Sequence, residues 1–300
     1  MKSVCVRAGA YALGLLVLAA PAAAAEPLEV FATNYPLAYF AERILADGGT
    51  VRMPPGSGDP ADWRPRVDDV LGMQRADVIL FNGAGFEPWR EWVTLAPSRI
   101  VDTSAGFRDR YLDVEDGTRH RHGPTGEDAL SAIASTTWID FTLAVEQAAT
   151  VRRALVTAGA DDTVMAANFD ALRIDLIDLD RSLSQATEDH GDAPLIASHP
   201  VYGYLARRYG LDVRNLHWEA DVAPDEAAWA ELEALLAEHP ARWMIWERDP
   251  LSESVARLAA MGVGSVVFDP AGARPAEADF LTVMRANIAR LGAALDEVEP

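Results

Sequence analysis

The sequence predicts an α/β protein of two βα lobes, each built on a four-stranded parallel sheet, joined by a single long helix. Three observations predict it. Short apolar runs alternate with helical periodicity over residues 28–104 and again over 194–295, the signature of parallel sheets wrapped by helices. Between these arrays Phe169, Leu172, Leu176, Leu179 and Leu183 recur at 3-4-3-4 spacing, a helical stripe. A chain of 300 residues with 50% hydrophobic content is also long enough to bury the cores of two domains. The expected organisation is a leader over 1–25, a first lobe over 26–160, a connecting helix over 161–190 and a second lobe over 191–300.

The leader comes first. Lys2 and Arg7 give a positive start, 8–19 an apolar middle, and Ala23-Ala24-Ala25 a small-residue cleavage site before Glu26. That pattern reads as a secretory signal peptide and is too short for a lasting membrane anchor. The only cysteine, Cys5, lies inside it, so disulfides, thiolate metal sites and cysteine nucleophiles are excluded from the exported chain. An exported, soluble protein of the periplasm is expected, acting as a monomer. Without Lys2 and Arg7 the chain holds 24 basic and 46 acidic residues, a formal charge of −22. So acidic a surface argues against nucleic acid and anionic membranes as partners.

In the first lobe, 28–33 reads as a strand and 37–45 as a helix. TVRMPP (50–55) runs into a Gly/Pro-rich turn, and 67–75 is helical. Strand 77–83, a short helix at 86–93 and strand 98–104 complete a βαβαβαβ array. The polar stretch 108–128 lacks periodicity and reads as a surface loop; its His120 and His122 are solvated or touch a metal transiently. A helix over 138–158 follows. Acidic residues at 161–162 open the next one, and the segment 162–188 would span ~40 Å as a helix.

The second lobe carries strands at 194–198, 212–218, 242–247 and 264–270, with helices at 201–209, 225–238, 251–261 and 278–295. Its strands end in turn at His199, at His217-Trp218-Glu219, at Glu247 and at Asp269. In an open parallel sheet all four ends lie on one rim, where ligands bind. Imidazole and carboxylate are what Zn²⁺ or Mn²⁺ takes where no thiolate is available. Structural roles compete: His199 capping a helix beside Pro200, Glu247 pairing with Arg248 or Arg242, and Asp269 capping a turn before Pro270.

Six segments carry a family resemblance: NYPLAYFAERI, PPGSGDPADWRP, RADVILFNGAGFEPW, TTWIDFTLA, SHPVYGYLARRYGL and FDPAG. In this order they resemble the zinc/manganese-binding solute-binding proteins of bacterial ABC importers, over nearly the whole exported chain. The resemblance implies two βα lobes joined by one long helix, with a metal held in the cleft between the lobes by three histidines and one carboxylate, or by two of each. It also implies delivery to an inner-membrane permease and its ATPase. Matched residue by residue, His199 and Asp269 are retained as ligands. Ala61 stands where the family has the histidine of D-P-H-D-[YW]-x-P, and Thr136 stands at its second histidine position.

Two retained ligands do not close a tetrahedral site. Asp59 or Asp62 would complete it from the first lobe, or Glu247, His217 or Glu219 from the second. The expected metal residues are therefore His199, Asp269, Glu247 and His217, with Zn²⁺ or Mn²⁺ as transported cargo rather than resident cofactor. The alternative is the same importer role with a small organic ligand or metal chelate, held against Trp63, Trp138 and Trp218. A metal-assisted hydrolase using His199, Glu247 and Asp269 is the remaining alternative. The sequence contains no Gly-x-Ser-x-Gly elbow, no HExxH and no phosphate-binding glycine loop, so no enzyme is expected.

Overall fold

The computed structural model describes residues 26–54, 61, 63–113 and 133–297. The leader, Asp59, Asp62, His120 and His122 lie outside the described residues.

Apolar runs in the first half form β1 (Leu28–Ala32), β2 (Gly49–Arg52), β3 (Val78–Phe81) and β4 (Ile100–Asp102). They pair in parallel in the order β2-β1-β3-β4. Strand β3, buried along its length, reads as an unbroken apolar run because helices or loops cover both faces. Helix α1 (Tyr35–Leu45) begins at Asn34, whose side chain accepts from Leu37 N at 3.1 Å, with Pro36 in its first turn. Helix α2 covers Val67–Arg75.

Two expected helices are shorter than their patterns. The segment 86–93 forms only a 3-10 turn, Pro88–Trp92. The helix expected from 138 starts later, as α3 (Phe141–Thr157). Asp140 explains the delay: its carboxylate accepts from Thr142 N at 3.0 Å and Leu143 N at 3.3 Å, a cap that fixes the first turn there.

Helix α4 (Asp162–Thr187) has 26 residues, ~39 Å at 1.5 Å per residue. Asp161 caps it, and Leu172, Leu176, Leu179 and Leu183 are buried along one side. The second sheet contains β5 (Pro194–Ala197), β6 (Asp212–Asn215), β7 (Trp243–Trp246) and β8 (Gly264–Val267), parallel in the order β6-β5-β7-β8. Around it lie α5 (Gly203–Tyr209), α6 (Glu226–Glu238), α7 (Ser252–Ala260) and α8 (Phe280–Asp296). Both sheets share the same doubly wound order, and each places its second-numbered strand at an edge.

The principal core is continuous across both halves. Val30, Leu80, Leu172, Leu176, Leu195, Ile245 and Phe268 belong to one buried cluster. Helix α4 packs on α1, α3 and α8, so it is a wall of that shared core as well as a connection. No helix among the described residues is long and apolar enough to cross a membrane.

Candidate functional site

Each strand of the second sheet delivers a polar side chain just past its carboxyl end. Strand order therefore sets the rim order: His217, His199, Glu247, Asp269. Neighbouring strands lie ~4.8 Å apart, so adjacent members can touch while His217 and Asp269 are separated by ~14 Å at the backbone.

The contacts follow that order. The His199 and His217 rings are 6.4 Å apart and perpendicular. His199 Nδ1 lies 3.0 Å from Glu247 Oε1, and Nε2 lies 4.0 Å from Glu219 Oε1. His199 is 13% exposed and Glu247 19%, whereas His217 and Glu219 are exposed. Glu247 and Asp269 feel one another through their charge. Burial pushes the Asp269 carboxyl above its ordinary range, the negative charge of Glu247 adds to this, and the Ala271 N–H opposes it. A cation on the rim would relieve that like-charge repulsion. Among the described residues no three His, Asp or Glu side chains converge on one point that could hold an ion.

The competing structural roles divide. His199 does not cap α5: the cap position is Tyr202, because Pro200 and Val201 carry the chain through a turn closed by Val201 N to His199 O at 2.9 Å. Glu247 has His199 as its partner. Asp269 does close a turn, its Oδ1 accepting from Ala271 N at 2.7 Å. The tryptophans are packing residues. Trp218 meets Trp229 edge-on and Trp246 at a tilt in the second sheet's core, and Trp63 lies between Phe31 and Trp89. Trp138 is 2% exposed.

The first sheet's rim is of a different kind. Thr33, Asn34, Asn82, Glu87, Thr103 and Gln147 are all buried there. The Glu87 carboxylate accepts from Thr33 Oγ1 and Asn82 N, both at 2.6 Å, and from Gly83 N at 3.1 Å. Gln147 Nε2 donates to Asn82 Oδ1 and Thr103 Oγ1, and Thr137 Oγ1 donates to Gln147 Oε1. Burial pushes the Glu87 carboxyl up to about 7, against those three donors, with Asp102 adding to the rise. Gly83 has φ +77, and a Cβ there would sit 2.2 Å from Asp102 Oδ1, so the turn requires glycine. Thr136 is buried and Ala61 packs partly buried against the main core. This rim spends its polar groups on one another; the second rim carries the imidazoles.

The two rims meet at the segment after β8. Trp138 Nε1 donates to Pro270 O at 2.7 Å and Tyr35 N to Gly272 O at 2.8 Å. Arg274 pairs with Glu42 at 2.5 Å and its guanidinium lies 4.7 Å from the centre of the Tyr35 ring. On the other flank Arg208 of α5 pairs with Asp180 of α4 at 2.7 Å, and the Tyr204 hydroxyl accepts from Leu112 N.

Three contributors escaped the sequence reading or ranked low in it. Glu219, named at a strand end but left out of the four expected metal residues, lies 4.0 Å from His199 Nε2. Tyr202 is buried, and its hydroxyl donates to Phe268 O at 2.8 Å. Asn287 is fully buried beneath Asp269. It had a visible signal, since it is the polar member of an apolar stripe, Phe280, Met284, Asn287 and Leu291.

The chain thus folds as two four-stranded parallel βα sheets, with a histidine–carboxylate row along the rim of the second. A family model described as zinc-uptake complex component A, periplasmic (ZnuA), matches residues 30–294, and the chain belongs to this ZnuA family. The high-affinity zinc uptake system protein ZnuA of Bacillus subtilis is 26% identical over 248 residues, covering 80% of this chain and 76% of that protein. The zinc-binding protein AdcA of Streptococcus pyogenes is 24% identical over 292 residues; they cover 90% of this chain but only 56% of AdcA, little more than half its length. The crystal structure of the Zn(II)-bound ZnuA-like domain of Streptococcus pneumoniae AdcA has the same fold, with TM-score 0.77 at 19% identity over 90% of this chain and 99% of that one.

Proposed function

We propose that this protein captures Zn²⁺ on the second-sheet rim, in the cleft facing the first sheet, and delivers it to a membrane permease driven by an ATPase. The observation that carries the reading is the His199–Glu247 contact at 3.0 Å, at the carboxyl end of adjacent strands. A metal-binding histidine commonly gives its second ring N–H to a carboxylate, which fixes the tautomer and raises ligand basicity. The Glu247 carboxylate lies beside Nδ1, and on this reading Nε2 is the nitrogen that ligates. Two ligands of one zinc ion lie ~3.3 Å apart, and the 4.0 Å from Nε2 to Glu219 Oε1 is near that value. His199 and Asp269 are the proposed direct ligands, Glu247 the group that orients His199, and Glu219 and His217 the neighbours that complete the site. Family membership and the zinc uptake relatives support Zn²⁺ over Mn²⁺.

Elemental analysis of the purified exported protein, followed by calorimetric titration after chelator treatment, tests this. Zn²⁺ is expected to bind at one equivalent, and His199→Ala to weaken it by at least about a hundredfold, ~2.7 kcal/mol. A protein that carries no zinc and takes none up refutes the reading. So does tight binding that His199→Ala leaves intact.

A further inference from the structure

We propose that Asn287 is a positioning residue for Asp269, holding the backbone of that ligand in the conformation the metal needs. The proposal rests on the reading of Asp269 as a ligand. Strand β8 ends at Val267, so Asp269 lies beyond the sheet and has no strand neighbour to fix its backbone. Asn287, from α8, supplies the missing partner. Its Oδ1 accepts from Asp269 N at 3.1 Å and its Nδ2 donates to Asp269 O at 2.7 Å. One side-chain amide thus takes both backbone groups of a single residue, as an adjacent strand does.

The neighbours extend the grip. Arg290, three residues along the same helix, donates from its second terminal nitrogen to Asn287 Oδ1 at 2.6 Å and from Nε to Val267 O at 3.0 Å. Tyr202 holds Phe268 O, and Trp138 holds Pro270 O. Ala271 has φ 54, a left-handed conformation uncommon for alanine, and from there its N–H reaches Asp269 Oδ1. From Val267 to Ala271, each residue is held on at least one backbone group.

The amide serves stability as well: Asn287 is fully buried, and an apolar residue in its place would leave Asp269 N and O without this partner, at the desolvation penalty of each group. Leucine would fill the same space in the stripe of α8. What leucine cannot do is set the backbone torsions of Asp269, and hence the direction of its carboxylate. Loss of such an outer partner typically costs a metal site 10–100-fold in affinity.

The test is a double-mutant cycle read by Zn²⁺ calorimetry, with thermal midpoints of the metal-free proteins alongside. Wild type, Asn287→Leu, Asp269→Ala and the double variant are compared. Asp269→Ala is expected to weaken binding at least about tenfold, and Asn287→Leu by about tenfold as well. In the Asp269→Ala background, Asn287→Leu is expected to change affinity by less than about twofold, because the group it positions has gone. If Asn287→Leu does not fold, Asn287→Asp takes its place in the cycle. It keeps the acceptor for Asp269 N and Arg290 but sets an oxygen against Asp269 O, and the same loss and the same disappearance are expected. Full Zn²⁺ affinity in the Asn287 variants while Asp269→Ala binds weakly overturns the positioning role. An equal loss in both backgrounds does so too. Unchanged binding in Asp269→Ala instead refutes Asp269 as a ligand, a different failure from either of these.

Discussion

Glu87 shows how far one side chain can depart from its ordinary chemistry when the fold encloses it. Burial raises its carboxyl from about 4.5 to about 7 even though Thr33, Asn82 and Gly83 all donate to it. Between those two values the folded chain binds more protons than the unfolded one, so unfolding free energy falls as pH rises through the window. Above pH 7 the contribution is gone. A shift of this size corresponds to ~3 kcal/mol over the full range. Denaturant unfolding of wild type and Glu87→Gln from pH 4.5 to 8 is expected to show the variant gaining on wild type as pH rises. Parallel stability curves would mean that Glu87 titrates at its ordinary value. His199 presents the opposite case at the same scale. It lies in a turn whose position was legible from an apolar run followed by Ser-His-Pro, whereas its partners were set by strand order, which no local pattern encodes.

At the scale of elements, periodicity and caps carried most of the information. The stripe of α4 is legible because a helix facing a core must repeat its apolar residues every three or four positions. Leu176 lies in the middle of that stripe and is fully buried; Leu176→Ala is expected to cost ~2–5 kcal/mol of stability, read from the shift in denaturation midpoint. A cost below 1 kcal/mol would show that the helix is peripheral to the core. The reading erred where a side chain competes with periodicity. Trp138 and Ile139 continue the apolar pattern of α3, but the Asp140 carboxylate takes the first helical N–H groups and starts the helix at Phe141. Likewise Trp218 follows a strand toward the rim, yet its ring turns inward to Trp229 and Trp246. In the row His217, His199, Glu247, Asp269 each residue was individually visible. Their order came only with the crossover topology, and that order decides which of them touch.

For the molecule as a whole, the main point is that two sheets are served by one continuous core. Val30 and Leu80 of the first belong with Leu195 and Ile245 of the second. We therefore expect one cooperative thermal transition, with calorimetric and van't Hoff enthalpies equal. Two resolved peaks would show that the halves fold separately.

The junction after β8 sets what any relative movement of the two sheets would cost. Trp138, Tyr35 and Glu42 on one side hold Pro270, Gly272 and Arg274 on the other. A rotation of one sheet against the other would have to break these three contacts, two of them backbone carbonyls held by N–H donors, and each bond left unmade in a buried place costs about 1–3 kcal/mol.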